Sequence, residues 1–371
     1  MGDENISDGI LCEVHLNLPP NEASGLLATE NDALLEAHGW DCALWTVLGE
    51  GGIQECIALM GHERGANMSE GWQTGLLAAR LKDDGVETED PEAIARYDGW
   101  VYIFGSHFGS KSGPLEPKRG FVARFREADV KHARNGPPVD IEVFRKSFVL
   151  HRLINDALKA CGRATVSLAQ EGYERFIEET RRLGREETKV WEGLVHADDL
   201  PLNVEGAAFR SDGSLLLGLR FPVADDGRSM LVELEGIERV FEPGDQLPKV
   251  RGVWVVDAIG KDGDMAGVRD LITVGDEVHL LTGNVDGRGE ESPLIKDYDW
   301  HNKVVTTHFR CTLPQGTQPS SVEATCVRSF PDITRLEGIA AIGDRFFYVV
   351  DDEERIPLLL PRPQSIGTSQ D

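Results

Sequence analysis

The sequence predicts an all-β fold of the β-propeller class, and three observations predict it. A short unit recurs along the chain: a charged residue, a run of small or apolar residues, an Asp/Gly turn, and a β-rich run closing on a polar residue. The units start at 24, 92, 205, 269 and 337, and three of the four intervals lie between 64 and 68 residues. The β-rich runs are apolar on both faces, as in a sheet packed between two other sheets.

The clearest copies run from Glu205-Gly206-Ala207-Ala208 to Gly218-Leu219-Arg220 and from Glu337-Gly338-Ile339-Ala340 to Val350-Asp351-Asp352. A third runs from Glu92-Ala93-Ile94-Ala95 to Gly105-Ser106-His107. A degenerate fourth runs from Arg269-Asp270-Leu271-Ile272 to Thr282-Gly283-Asn284, and a weaker copy opens at Ser24-Gly25-Leu26-Leu27-Ala28. The turns Tyr97-Asp98-Gly99, Ser211-Asp212-Gly213, Gly275-Asp276 and Gly343-Asp344 suit hairpins. Trp100–Phe104, Leu215–Leu217 and Phe346–Val350 then read as second strands. Ala95, Ala207, Ala208 and Ala340 fit innermost strands, where blades crowd together. Phe121–Phe125, Met230–Val232 and Val304–Phe309 supply outer strands. Five blades are visible, and about 65 residues per unit leaves room for a sixth.

The interval from 92 to 205 is long, at 113 residues. Its excess reads as a helical hairpin inserted between blades over residues 137–196. Ile141, Phe144, Phe148, Ile154 and Leu158 are spaced as one helical face closed by Gly162. Ser167-Leu168-Ala169-Gln170 matches a capping box, and Tyr173, Phe176, Ile177 and Leu183 follow before Gly184. Arg175, Arg181, Arg182 and Arg185 form either a solvated face or an anion-recruiting cover for the channel mouth. Residues 10–360 are expected to form one domain, with a disordered tail over 361–371.

Composition narrows the partners. The chain has 371 residues, 64 acidic against 38 basic, and a formal charge of -26, which argues against nucleic-acid binding. No basic n-region precedes an apolar stretch and no apolar run is long enough for a membrane helix. The six cysteines (12, 42, 56, 161, 311 and 326) include no C-x-x-C pair and read as reduced packing thiols of a cytoplasmic protein. His62-Glu63-Arg64 lacks a second His at helical spacing and carries no zinc motif, and neither a G-x-S-x-G elbow nor a P-loop occurs.

The phrases Asn203-Val204-Glu205-Gly206-Ala207-Ala208, Leu217-Gly218-Leu219-Arg220-Phe221-Pro222, Gly267-Val268-Arg269-Asp270-Leu271 and Phe104-Gly105-Ser106-His107 resemble a bacterial family known only as a domain of unknown function. More distantly, the Glu-Gly-hydrophobic-Ala openings are similar to those of the gluconolactonase and esterase-like phytase propellers. The close resemblance implies a fold. The distant one implies a calcium-dependent hydrolase with ligands at the top of the channel. Arg269 stands where those patterns have glutamate, so the site is expected to be asymmetric.

If the units are blades, Glu92, Glu205, Arg269 and Glu337 begin the inner strands at one end of the axis. Three carboxylates there either hold Ca²⁺, line a substrate pocket, or form a structural network with Arg269. The closing residues His107, Arg220, Asn284 and Asp352 should form a second ring on the same face, because a hairpin returns the chain to its starting side. The first functional expectation is a metal-assisted hydrolase of a small ester, lactone or phosphate-bearing molecule. Glu92, Glu205 and Glu337 are its metal ligands, His107 its base, Arg220 an anion clamp and Asp352 a further catalytic group, with Arg269 and Asn284 on the substrate. The Ser110-Lys111-Ser112-Gly113 loop, with Lys118 and Arg119, is either a solvated basic loop or a contact for an anionic ligand, and Tyr298-Asp299-Trp300-His301 is an outer-strand entry, an aromatic rim or a metal ligand. The alternative function is a non-catalytic propeller binding a protein or peptide through its face and helical insertion.

Overall fold

The computed structural model describes residues 10–361, apart from 20, 50, 84, 134–135, 245, 260–263, 288–290, 296–303, 316–317 and 353. The Tyr298–His301 run and the tail beyond 361 lie outside the described residues. Strands are the main regular structure of the described chain and are arranged as five sheets. Strand β1 (Ile10–Leu16) opens the chain. The first repeat unit supplies β2 (Ala23–Ala28), β3 (Trp40–Leu48), β4 (Ile57–Glu63) and β5 (Trp72–Leu76), paired in that order. Then β6 (Ala79–Leu81) crosses to the next sheet, where β7 (Pro91–Tyr97), β8 (Trp100–Gly105), β9 (Val122–Arg126) and β10 (Val139–Phe144) form a meander and β6 pairs in parallel with β10.

The third sheet contains β11 (Asn203–Phe209), β12 (Leu215–Phe221), β13 (Ser229–Glu235) and β14 (Lys249–Asp257). The fourth contains β15 (Gly267–Val274), β16 (Glu277–Gly283) and β17 (Thr306–Thr312). Next in sequence, β18 (Ser321–Glu323) adds in parallel to β14, and β19 (Thr325–Phe330) completes the fourth sheet. The fifth sheet joins the two ends of the chain. Strands β20 (Leu336–Ile342), β21 (Arg345–Val350) and β22 (Ile356–Pro361) are completed by β1, antiparallel to β22. Pairing the two ends covers an edge that would otherwise expose unpaired backbone groups.

Strands β2, β7, β11, β15 and β20 each lie at one edge of their sheet. Each touches the next, and β20 returns to β2. Close approach demands small residues here. A Cβ added to Gly206 would lie 3.0 Å from the Leu271 nitrogen of the neighbouring inner strand, and one added to Gly338 would lie 3.0 Å from the Gly25 carbonyl carbon. Ala93, Ala95, Ala207, Ala208 and Ala340 are buried beside them. The turns are as tight as their residues imply: Tyr97 pairs with Trp100, Val274 with Glu277 and Ile342 with Arg345, each across two residues. Asp98 and Gly99 both have positive φ, the backbone of a type I′ turn.

Helices occupy Val149–Ala160 and a run from Gln170 to Glu186 between β10 and β11. One expectation is corrected here. Val139–Phe144 is an outer strand rather than the start of a helix. Its apolar residues fall on both faces, with Ile141 and Phe144 in different core clusters, and that mimics helical spacing when read over six residues. The helices dock on two loops at one end of the sheets. Phe176 stacks on Phe108 with ring centroids 4.7 Å apart, and Thr180 Oγ1 accepts the Leu115 amide at 2.9 Å. The Ala169 amide donates to the Leu294 carbonyl at 3.0 Å. The arginines pair with glutamates of the same run: Arg175 with Glu171, Arg181 and Arg185 with Glu178, and Arg182 with Glu179 and Glu186. They form a self-neutralised outer face. No helix among the described residues is long and apolar enough to cross a membrane.

Candidate functional site: a charged cavity over the inner strands

Each inner strand carries an irregularity at its repeat position. The register slips between Pro91 and Ala93, Val204 and Gly206, Val268 and Asp270, and Leu336 and Gly338. The slipped residues are Glu92, Glu205, Arg269 and Glu337. In β2 the slip lies between Ser24 and Leu27. A bulge leaves one residue out of the ladder and re-aims its side chain. Here Glu92, Glu205, Arg269, Glu337 and Ser24 all line one cavity of about 790 Å³. The second predicted ring contributes Arg220 and Asn284 to the same cavity. Seven of its other lining residues are acids or bases that the repeat does not mark: Glu22, Glu89, Asp90, Lys111, Arg119, Asp286 and Arg335.

Ion pairs organise the floor. Glu205 is held by three groups: Arg220 Nη1 at 2.6 Å and Asn203 Nδ2 at 3.1 Å on Oε1, and Arg269 Nη1 at 3.2 Å from Oε2. Arg269 reaches across to pair with Glu337 through its other terminal nitrogen. Arg220 also donates from Nε to the Asn284 carbonyl at 3.0 Å. On the opposite side Arg119 holds Glu89 at 2.7 Å and Asp90 at 2.9 Å, and Ser106 Oγ donates to Asp90. Lys118, whose side chain is partly exposed, pairs with Glu89. The Asn203 and Asn284 side-chain oxygens are buried acceptors without a donor among the described residues.

Among the described residues no guanidinium is bonded to Glu92. Burial, then the neighbouring Asp90 and Glu205 carboxylates, hold it well above the usual range, against a hydrogen bond with Ser24 and the more distant Arg269. Burial also raises Asp90, in spite of Arg119. Burial, then the adjacent Arg220, pushes Arg269 down to about 10. A raised carboxyl has a definite consequence for stability. Folded Glu92 keeps a proton that the unfolded chain releases near pH 4.5, so its contribution becomes steadily less favourable as pH rises from there through the folded value. Glu92→Gln removes that penalty. The variant should melt above the parent protein at pH 8 and with it at pH 4.5, as thermal unfolding across that range would register; equal differences at both ends would refute the shift.

Two predicted catalytic residues lie elsewhere. His107 follows β8 in a left-handed conformation, φ 58°, with its amide on the Arg119 carbonyl at 3.1 Å. That turn carries the ring away from the cavity lining and under the inserted helices, and burial followed by His151 pushes its pKa down to about 3. A ring that is such a weak base at neutral pH is a poor proton acceptor. Asp352 sits outside the cavity, 3.3 Å from Arg355 and accepting the Glu354 amide at 3.0 Å; its neighbour Asp351 is the lining residue. Asp90 escaped sequence reading because it falls on no repeat position, and Arg119, expected as part of a solvated or anion-contacting basic loop, instead pairs with Glu89 and Asp90. Asp90, two residues before Glu92, carried the only local signal.

The acids do not fit a calcium cage. Such an ion needs six to eight oxygens converging on one point. Here a guanidinium stands between Glu205 and Glu337, and the described His, Cys and carboxylate groups able to converge on one ion exclude all three glutamates.

No family model matches the chain. No curated relative matches its sequence. Among solved structures it is similar to Myxococcus xanthus glutaminyl cyclase at 12% identity, with a TM-score of 0.38, over 95% of this chain and 94% of that one. It is similar to xyloglucan PUL GH43B from Bacteroides ovatus at 10% identity and TM-score 0.42, over 94% and 54%. It is also similar to MPT-4, a mannose phosphorylase from Leishmania mexicana, at 9% identity and TM-score 0.39, over 96% and 89%. Likeness at this level does not reach to substrate or activity.

Proposed function

We propose that the five sheets make a five-bladed β-propeller and that its axial cavity hydrolyses a small, hydroxylated, uncharged ester or lactone. The observation that carries this reading is the neighbouring pair Asp90 and Glu92, both raised and both lining an open cavity. Burial and the neighbouring Asp90 favour the protonated form of Glu92, while Arg119 and Ser106 favour the ionised form of Asp90, so the pair supplies one donor and one acceptor. Asp90 takes the proton of the attacking water as its oxygen bonds to the carbonyl carbon. Glu92 gives its proton to the departing alkoxide, and the carbon–oxygen ester bond breaks.

Substrate charge follows from the lining. Eight carboxylates face five cations, and Arg119, Arg220 and Arg269 are each committed to acids of the site. A phosphate has no unshared guanidinium among these three to bind, so the uncharged members of the expected substrate set fit better. The orphan oxygens of Asn203 and Asn284 favour a ligand that brings hydroxyl donors. The inserted helices spend their apolar side on the loops carrying Phe108 and Leu294, both cavity-lining residues, and so read as a wall of the site rather than a free docking module.

The test is a panel of hydroxylated lactones and chromogenic sugar esters. Turnover is expected from the parent protein, with kcat reduced about 10²–10⁴-fold in Asp90→Asn and in Glu92→Gln and the fold retained by circular dichroism. Turnover surviving both substitutions, or no turnover of any panel member, would sink the reading. Adding calcium should leave the melting temperature unchanged.

A further inference from the structure

A second cluster of ligand-type side chains lies at the far end of the first sheet. Residues Gly49 and Gly51, just past the end of β3, line the cavity, so the start of β3 at Trp40 is remote from it. Alternation along a strand would send Asp41 and Cys42 to opposite faces. The register slips between Trp40 and Cys42, and the bulge turns both toward His62, the cross-strand partner of Cys42. The Asp41 carboxylate oxygen, Cys42 Sγ and a His62 ring nitrogen all lie within 4.8 Å of one another.

The imidazole carries the argument. His62 is 1% exposed and its ring packs 5.1 Å from that of Trp72. Its Nε2 lies 3.1 Å from the Asn67 carbonyl oxygen. A carbonyl only accepts, so Nε2 carries the hydrogen. In the neutral ring Nδ1 then turns a lone pair on the Asp41 carboxylate, 2.8 Å away. Two electron-rich atoms at that distance, beside a thiol sulfur, require a positive centre. A metal-binding histidine has this arrangement, with one nitrogen on the metal and the other donating to a backbone carbonyl.

We propose that Asp41, Cys42 and His62 form a binding site for a zinc-type divalent ion, with water as the fourth ligand. One nitrogen, one sulfur and one carboxylate oxygen are the donors that suit tetrahedral zinc. Binding exchanges the thiol proton for the metal–sulfur bond and releases that proton to solvent. The exposed Asp41 leaves an entry path, while Trp72 covers the ring. On this proposal Cys42 is a ligand as well as a packing thiol, and His62, which has no second His at helical spacing, takes its partners from another strand, where no linear spacing rule looks.

The rival is an imidazolium ion-paired with Asp41, which needs neither metal nor thiol. Cobalt(II) titrated into the purified full-length protein separates the two. Expected are one equivalent bound, a thiolate-to-cobalt charge-transfer band, and its loss in Cys42→Ser and His62→Gln. Asp41→Asn, at an exposed position with little risk to folding, should weaken binding at least about tenfold, and Cys326→Ser should change nothing. No charge-transfer band, or a band that persists in Cys42→Ser, establishes the ion pair and overturns the metal site.

Discussion

Asp270→Ala is expected to cost about 4 kcal/mol of folding stability, because three buried amides lose one carboxylate at roughly 1–3 kcal/mol per stranded donor. Asp270 is fully buried. Its Oδ1 accepts the Leu271 amide at 2.8 Å, while Oδ2 accepts Ile339 at 2.8 Å and Leu26 at 3.3 Å. These amides belong to β15, β20 and β2, three inner strands that share no ladder. The carboxylate therefore does what ladder bonds do elsewhere, across sheets. Asn at 270 keeps one acceptor and should lose less than Ala. Urea unfolding of both variants is the measurement, and a loss below about 1 kcal/mol in Asp270→Ala, the net worth of one ordinary hydrogen bond, would contradict the bridging role.

Arg269→Met is the second large effect, expected at about 3–5 kcal/mol, the cost of leaving a buried charge without its partner. Glu205 and Glu337 both rely on this guanidinium. Without it two buried carboxylates lose their shared counter-charge, and mild acid, which neutralises carboxylates, should relieve part of the loss. The double variant Arg269→Met/Glu337→Gln should recover a substantial share at pH 8, since it removes a charge together with its counter-charge. Unfolding curves at pH 5 and pH 8 for the single and double variants close the cycle. A pH-independent loss with no recovery would mean that the side chain acts through packing alone.

The repeat units were legible because crowding imposes composition. An inner strand flanked by two others accepts little beyond Gly and Ala after the charged opening, and Gly206, Ala207, Gly338 and Ala340 carry that mark. Their register was legible too, since Asp98-Gly99 and Gly343-Asp344 demand tight turns. Strand β10 was misread because Ile141 and Phe144, three residues apart, match helical spacing, although Val139, Ile141 and Val143 alternate with Asp140 and Glu142 and pack against one cluster. Asp90 had no signal beyond its charge and its place two residues before Glu92, and Arg119 none beyond its basic loop. They sit at the approach to one inner strand and in one loop, positions without a counterpart in the other units.

The site divides in the same way. Glu92, Glu205, Arg269, Glu337, Arg220 and Asn284 were brought together by repetition, since equivalent positions in equivalent units converge wherever the inner strands meet. His107 was not, because a single left-handed residue at the end of β8 redirects its ring, and φ is not written in a residue that usually avoids that region. Repeat spacing, small inner residues and the placement of charge at strand openings were determined by the sequence alone, because each is a local demand of packing one sheet against another. Which acid meets which base, which carboxyl keeps its proton, and that Asp41, Cys42 and His62 share one end of a sheet were decided only in the tertiary structure. Those outcomes depend on bulges that re-aim side chains by one residue and on burial created by segments distant in the chain.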